Sequence, residues 1–198
     1  MNTAAHADPS RLAPERAWRR TGPLPTLRSF ESNFRADARV LILGSMPGAA
    51  SLAAAEYYAH PRNAFWPIMG ALFGAGPALP YADRLARLAD AGIALWDVIA
   101  SCTRAGSLDS AIVADSIEVN DFAALFLACP HLHHVFFNGR KAEAAFRRYV
   151  RPQVELPAVR FVYLPSTSPA HAARDLAAKL DAWQAVRAAL QQPLARAA

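Results

Sequence analysis

The stretch Val40-Leu41-Ile42-Leu43-Gly44 indicates the fold of this chain more directly than any other. Four consecutive aliphatic residues ended by a glycine are typical of a strand buried on both faces, as strands of parallel sheets are. Three similar apolar runs follow, at residues 93–96, 134–137 and 159–164. The sequence therefore predicts four buried strands.

Helices are predicted between these strands. Phe65, Ile68 and Leu72 recur at helical spacing, and Gly74 follows them as expected at a helix end. Further helical patterns cover residues 81–91, 120–129, 139–149 and 175–190. Strands that alternate with helices form right-handed βαβ units, in which helices cover both faces of a parallel sheet. We predict the α/β class: a three-layer sandwich with a central four-stranded parallel sheet flanked by helices.

The chain is expected to form one domain preceded by an arm. Residues 1–35 are rich in Pro, Arg and Ala without a sustained period, which predicts a flexible N-terminal arm. Trp18, Leu27 and Phe30 are the residues that could anchor parts of it. Residues 36–198 are the predicted domain, long enough to bury a core. We expect a monomer.

No apolar run reaches the roughly 20 residues that span a bilayer, and no apolar signal segment opens the chain. The expected compartment is therefore the cytoplasm, without a membrane partner. The net charge of +5 permits attraction to a polyanion such as DNA, although an ordinary basic protein can have the same charge. The two cysteines, Cys102 and Cys129, cannot hold a four-cysteine cluster and are expected to be free and buried.

Polar or Gly/Pro-rich segments follow all four strands, and ligands of open parallel sheets bind beyond the carboxyl ends of the strands. The segments are GSMPG (44–48), DVI (97–99), NGRK (138–141) and PSTSPAH (165–171). The glycine spacing of the first excludes both a Walker A loop and a dinucleotide fingerprint. Taken alone, that segment is equally typical of a plain turn.

Several motifs occur in an order that carries a family resemblance. GSMPG followed by YYAHPRNAFW (57–66) resembles the first motif region of mismatch-specific uracil-DNA glycosylases and thymine-DNA glycosylases, which have G-x-N-P-G and P-x-N-x-F-W. The similarity continues in LWDVIASCTRAGSLDSAI (95–112), FFNGRKA (136–142) and LPSTSPAH (164–171). The chain thus resembles the uracil-DNA glycosylase superfamily, which implies a uracil-DNA glycosylase-like fold and excision of deaminated bases from double- or single-stranded DNA.

One departure from the pattern refines the resemblance. The related enzymes carry Asn or Asp in the first loop, whereas this chain has Met46, which can neither activate water nor accept a strong hydrogen bond. Met46 together with the HPRNAFW and FFNG segments resembles the hypoxanthine-DNA glycosylase branch. In that branch the Asn of the H-P-x-N segment is catalytic, which corresponds to Asn63 here.

The resemblance implies roles for three further side chains. Tyr58 would stack on a flipped base, or else pack in the core or at its rim. Asn63 would orient the attacking water or hold the base, and the alternative or additional role is N-capping of a helix. His171 would donate a hydrogen bond to the base or support the charge of the leaving group.

The remaining candidate residues bind the base or the DNA backbone. Asp97 is the least secure base-binding candidate, because a carboxylate disfavours an anionic leaving base unless it is protonated or turned away. Serines of the last loop could instead cap a following helix, and the basic residues could be ordinary surface charges. The base-binding set is Gly44, Ser45, Met46, Tyr58, Asp97 and Asn138, and the phosphate-binding set is Ser166, Thr167, Ser168, Arg62, Arg140 and Lys141, with Arg104 a further possibility.

Neither a cofactor nor a metal is predicted. The cluster of His131, His133 and His134 precedes a strand, which places it opposite the expected catalytic end. Asp109, in the GSLDS turn, is expected to cap or bind backbone amides. Because no lysine nucleophile is evidently poised at these loops, we expect simple hydrolysis and no lyase activity. Two rival hypotheses stay open: a non-cleaving module that binds damaged bases, and an α/β enzyme that hydrolyses free nucleosides.

Overall fold

A four-stranded parallel sheet forms the centre of the structure, a computed structural model that describes residues 24–193. The strands are β1 (Thr26–Arg28), β2 (Val40–Gly44), β3 (Ile93–Asp97), β4 (Ile99–Thr103), β5 (Glu118–Val119), β6 (His134–Asn138) and β7 (Arg160–Leu164). The helices are α1 (Ala49–Ala54), α2 (Phe65–Phe73), α3 (Tyr81–Asp90), α4 (Phe122–Ala128), α5 (Arg140–Ala145), which continues into a π-helical segment (Phe146–Val150), and α6 (Leu176–Gln191).

The central sheet confirms the four predicted strands. Its order is β3-β2-β6-β7, and every neighbouring pair is parallel. Val40 pairs with Ile93 on one side and with His134 on the other, so the strands start at one level. All four carboxyl ends therefore lie along the same edge of the sheet.

Side chains of β2 alternate between two separate cores, which explains why the whole strand is apolar. Ile42 belongs to a cluster with residues of α2 and α6, among them Met69 and Trp183. Leu41 and Leu43 belong to a second cluster on the opposite face, packed with residues of α4 and α5. The fold is thus the predicted three-layer sandwich.

A second, antiparallel sheet of order β1-β4-β5 was not predicted, and it changes the boundary of the N-terminal arm. Thr26 pairs with Thr103, and Asn33 exchanges backbone hydrogen bonds of 2.9 and 2.8 Å with Leu95. Residues 26–35 are therefore ordered parts of the domain. Leu27 packs beside a small apolar cluster and Phe30 against the main core, as anchors should. Backbone hydrogen bonds hold this segment, and they do not depend on which residues it contains, so its composition did not reveal them.

The rest of the predicted arm lies outside the described residues, namely residues 1–23, which include Trp18. The same holds for residues 194–198. Within residues 24–193, no helix is long and apolar enough to cross a membrane. Cys102 and Cys129 are buried free thiols.

Aspartates cap two of the helices. Asp121 caps α4, because its carboxylate accepts from the Ala124 amide. The side chain of Asn120 donates to the Asp97 carbonyl at 2.8 Å. Helix α6 starts at Leu176, close to its predicted start at residue 175, and is capped by Asp175 rather than by the serines of the last loop.

Candidate active site

The carboxyl ends of β2 and β3 meet at Gly44 and Asp97, which are register partners. A Cβ placed on Gly44 would lie 2.1 Å from Asp97 Oδ1 and 3.0 Å from the Tyr58 hydroxyl. No side chain fits in that space. Glycine at residue 44 is therefore required by the close approach of the Asp97 carboxyl, rather than by turn geometry alone.

The Asp97 side chain is the buried acid of the site. The residue is 3% exposed, and within residues 24–193 its Oδ2 has no hydrogen-bond partner. Burial raises the pKa of Asp97 from 3.8 to about 8, nearby Asp109 adds to the rise, and Arg104 opposes it. The carboxyl is thus mainly protonated at neutral pH. This removes the electrostatic objection to an acid in a pocket for an anionic leaving base.

Tyr58 lies over the same strand ends, with its backbone in the left-handed region at a φ of 56°. Its ring stacks on Phe65, with centroids 4.0 Å apart and planes inclined by 25°. The hydroxyl is buried without a hydrogen-bond partner in the described structure. Burial and the neighbouring Asp97 raise the pKa of this phenol. The ring therefore has the packing role held open as an alternative, and its stacking on a base stays a prediction.

Asn63 does not have the N-capping role foreseen as its second possibility, because Ala64 is the N-cap residue of α2. Its Oδ1 accepts a hydrogen bond of 3.0 Å from the Phe65 amide at the start of α2. The half-buried side chain keeps its Nδ2 group free of hydrogen bonds within residues 24–193. One residue later, the Ala64 amide donates to the Thr167 carbonyl at 3.0 Å. This bond brings the loop of Asn63 and the loop of His171 together.

Asn138 is fixed by a reciprocal pair of hydrogen bonds with Thr167. Its Nδ2 donates to Thr167 Oγ1, and its Oδ1 accepts from the Thr167 amide, both at 2.9 Å. One Nδ2 hydrogen of Asn138 remains for another acceptor. Thr167 is only 1% exposed. Its burial contradicts the predicted phosphate contact and makes Thr167 the residue that orients Asn138.

The turn after Asn138 is shaped by a second close approach. Gly139 has a φ of 95°, and a Cβ there would lie 2.8 Å from the Ser166 Cβ. The hydroxyls of Ser166 and Ser168 accept from the amides of Ser168 and Ala170, at 3.2 and 3.3 Å. Neither serine caps α6, and each hydroxyl proton remains available for an acceptor such as a phosphate.

A lysine that the sequence analysis overlooked supports His171. Lys179 of α6 is 5% exposed, and its Nζ donates to the His171 carbonyl at 2.9 Å. Burial lowers the pKa of this ammonium. The signal was present in the sequence: Lys179 occupies the same helical face as Trp183 and Val186, where an apolar residue is expected.

The first loop is held from below by Arg104, which corrects its assignment as a phosphate contact. The residue is 1% exposed, and Nη2 and Nε donate to the carbonyls of Pro47 and Gly106 at 2.5 and 2.9 Å. Its Nη1 lies 3.8 Å from Asp109, whose other oxygen accepts from Ser45 Oγ at 2.6 Å. Asp109 thus binds two side chains, not the backbone amides expected.

Met46 turns away from this polar network. It is buried in a small cluster with Ile99 and Cys102. In the structure Met46 is a packing residue of the first loop, and its part in base binding stays a prediction.

The three predicted basic phosphate contacts that remain are all exposed. Arg140 lies 4.4 Å above the Tyr163 ring and 3.7 Å from Glu143. Lys141 borders a pocket of about 250 Å³, which Ser45 and Asp109 also line. Arg62 follows the loop of Asn63. These positions surround the strand ends and suit a polyanion, while the contacts themselves stay predictions.

The histidine pair lies at the other end of the sheet. His134 is the first residue of β6, and its Nδ1 lies 2.6 Å from His133 Nδ1. Burial lowers the pKa of both rings. Among the residues that the structure describes, no group of three or more His, Cys, Asp or Glu side chains is arranged to hold a metal.

A parallel sheet covered on both faces, with a buried acid, two carboxamides and a histidine loop at its carboxyl ends, defines an α/β protein with a strand-end ligand site. The chain belongs to the uracil DNA glycosylase superfamily, because the model of that family matches residues 31–191. The family resemblance stated from the motifs is thereby confirmed.

Individual relatives agree with this membership. The chain is 38% identical over 107 residues to a hypoxanthine DNA glycosylase of Methanosarcina barkeri. The aligned region covers 54% of this chain and 66% of the relative. It is 38% identical over 116 residues to a hypoxanthine DNA glycosylase of Methanosarcina acetivorans, covering 58% and 72%. An NMR structure of a candidate uracil DNA glycosylase from Methanosarcina acetivorans superposes with a TM-score of 0.70 and 31% identity, covering 85% of this chain and all of that one.

Proposed function

We propose that this protein is a DNA repair glycosylase that hydrolyses the N-glycosidic bond of a flipped deaminated base and leaves an abasic site. Hypoxanthine is the first candidate base and uracil the second. The observation that carries the proposal is the identity of 38% to two proteins named hypoxanthine DNA glycosylase, together with the superfamily match over residues 31–191.

The base is read by Asp97 and Asn138. A protonated carboxyl can donate one hydrogen bond and accept another, and the Asn138 amide keeps one free N–H. Hypoxanthine offers a carbonyl oxygen, ring nitrogens that accept and a ring N–H that donates. Uracil offers two carbonyls and one ring N–H to the same side chains. An ionised acid would instead repel a base that departs with negative charge.

The bond-breaking step uses Asn63, His171 and water. The bond from the sugar carbon to the base nitrogen breaks, and its electron pair leaves with the base. The water oxygen bonds to the sugar carbon, and the proton that the water loses neutralises the departed base. Asn63 Oδ1 accepts a hydrogen bond from the Phe65 amide, and this bond holds the carboxamide in place. The Asn63 side chain can then bind the base through Nδ2 or orient the water. His171 donates to the departing base, and such help typically contributes a few kcal/mol.

DNA is held around these strand ends by the exposed side chains of Arg62, Arg140 and Lys141 and by the hydroxyls of the half-buried Ser166 and Ser168. Backbone contacts of this kind position the duplex without reading its sequence. Flipping costs a few kcal/mol, less when the base is mispaired, as deaminated bases often are. We propose further that the protein acts as a monomer in the cytoplasm, using only side chains and water.

The reaction is proposed to stop at hydrolysis. Lys179 is the lysine next to the His171 loop, and its buried Nζ is engaged by the His171 carbonyl. A Schiff base would require this amine to leave the carbonyl and reach the sugar. Borohydride should therefore trap no covalent adduct with inosine-containing DNA, and a trapped adduct that disappears in Lys179→Met would contradict the proposal.

A panel of duplexes, each with one hypoxanthine, uracil or xanthine, tests the activity itself. The expected result is abasic sites from hypoxanthine, with product formation weakening as salt rises because DNA engagement releases counterions. Tight binding without abasic product would favour the non-cleaving module. Hydrolysis of free deoxyinosine at a rate insensitive to salt would favour the nucleoside enzyme.

A further inference from the structure

An apolar groove of about 300 Å³ lies beside β7, away from the strand-end site. Three phenylalanine rings line it in mutual contact: the centroid of Phe146 lies 5.4 Å from Phe137 and 5.6 Å from Phe161. Phe161 is 43% exposed, although it sits on a strand of the central sheet. Phe137 and Phe146 are buried, at 2% and 1% exposure, so they form the floor of the groove and Phe161 is its exposed ring.

The walls of the groove are positively charged. Arg147 and Arg151 line it, are both exposed and make no ion pair within residues 24–193. They are one helical turn apart, in and just after the π-helical segment. The single acidic residue of the lining, Glu143, is engaged by Arg140 at 3.7 Å. The groove thus has an apolar floor, and the guanidinium groups of Arg147 and Arg151 beside it have no acidic partner within residues 24–193.

The location and size of the groove argue against a DNA contact. Phe161 is the second residue of the edge strand β7 and pairs with Val135 near the amino ends of the strands, whereas DNA is proposed to bind at the carboxyl ends. A DNA backbone has no large apolar group to fill a pocket lined by three phenylalanines. A volume of about 300 Å³ instead suits one large apolar side chain of a peptide.

We propose that this groove docks an acidic peptide segment of a partner protein, with one aromatic or large aliphatic side chain as its anchor. The anchor packs against the exposed Phe161 ring, which itself rests on Phe137 and Phe146. Carboxylates beside the anchor pair with Arg147 and Arg151, whose planar guanidinium groups bind carboxylates in bidentate fashion. Such a partner would bring the glycosylase to its site of work without occupying the site for the base.

The test uses the full chain and a fluorescent peptide of four acidic residues followed by one phenylalanine, read by polarisation. The double variant Arg147→Glu, Arg151→Glu should weaken binding at least about tenfold, because close charge pairs across an interface contribute strongly. Phe161→Ser should weaken it by a similar factor. Arg87→Glu reverses an exposed arginine on α3 and should leave binding unchanged. All variants should keep wild-type glycosylase activity.

Control peptides separate a groove from general charge attraction. Replacing the phenylalanine of the peptide by serine, or its acidic residues by lysines, should each weaken binding at least about tenfold. Equal loss in Arg87→Glu, or equal binding of the serine peptide, would overturn the proposal. So would competition by an undamaged DNA duplex that displaces the peptide, since the groove would then belong to the DNA surface. Loss of glycosylase activity without loss of peptide binding would also contradict it.

Discussion

Arg104 Nη2 donates a hydrogen bond of 2.5 Å to the Pro47 carbonyl, across 57 residues of sequence. The same guanidinium binds the Gly106 carbonyl and lies beside Asp109. A buried arginine thus fixes the first strand-end loop from below, while the upper side of that loop borders the candidate site.

Arg104→Met should destabilise the protein by about 3 kcal/mol, because it leaves the buried Pro47 carbonyl without its donor and Asp109 without its neighbouring positive charge. Urea unfolding measures this directly, and Arg87→Met serves as an exposed control expected to stay within about 0.5 kcal/mol of the wild type. Glycosylase activity should fall with Arg104→Met at temperatures where the variant is still folded. Unchanged stability would mean that the guanidinium does not hold this loop.

Asp97 should give activity an alkaline limit. Its pKa of about 8 means that raising the pH through 8 converts the neutral donor into a buried carboxylate, which disfavours an anionic leaving base. Rates on a hypoxanthine duplex should therefore fall above about pH 8. Asp97→Asn, which stays neutral, should remove that limb from the profile. A limb that persists in Asp97→Asn would assign the titration to another group.

Stability should follow the same group with a defined sign. Between about pH 4 and pH 8 the folded protein keeps the Asp97 proton while the unfolded chain loses it, since the pKa is raised from 3.8 to about 8. The unfolding free energy from this residue therefore decreases as pH rises through that window, by a few kcal/mol at most. Asp97→Asn should flatten the decrease in urea titrations, and an identical slope in both proteins would contradict the assignment.

Asn63 can be divided into its two functions by substitution. Asn63→Ser keeps a side-chain oxygen able to accept from the Phe65 amide but removes the carboxamide nitrogen. Asn63→Ala removes both and should cost about 1 kcal/mol of stability. Both variants should lose more than about 100-fold in single-turnover rate on a hypoxanthine duplex, with stability nearly normal in the serine variant. Full activity in Asn63→Ser would mean that Asn63 only accepts from the Phe65 amide and takes no part in the reaction.

Lys179 should matter to activity more than to folding. Lys179→Met fills the same apolar face of α6 and should leave stability unchanged or higher, because a buried ammonium is replaced by an apolar chain of similar length. The His171 loop would lose its tether, and kcat should fall about tenfold with little change in KM. Lys179→Arg, which retains a donor, should recover part of the rate. Equal rates in all three proteins would remove Lys179 from the positioning of the loop.

The parts of the fold that are fixed by long apolar patterns could be predicted from sequence. The run from Val40 to Leu43 predicts a buried strand because both faces of it meet hydrophobic cores. The strands Thr26–Arg28 and Glu118–Val119 were missed, since three and two residues are too short to show a period of two. Ile99–Thr103 was missed because it begins within the segment read as the loop after Asp97. Backbone hydrogen bonds, not side-chain patterns, define these strands.

The candidate site, like the fold, could be predicted from the sequence only in part. The placement of Gly44, Asp97 and Asn138 at one edge of the sheet could be predicted, because strand ends can be located and their residues converge in any parallel sheet. The burial of Arg104 and Thr167 was missed, because an arginine or a threonine in a polar loop is ordinarily exposed. Their partners lie 57 and 29 residues away, a relationship that no local pattern contains.

The backbone hydrogen bond from Ala64 to Thr167 joins two loops that are more than a hundred residues apart in the chain. The exchange rate of the Ala64 amide proton therefore reports how often the Asn63 loop and the His171 loop separate. Its exchange with deuterated solvent should report each opening event in the free protein. Slower exchange at Ala64 in the presence of a lesion duplex would measure, residue by residue, how firmly DNA closes the two loops together.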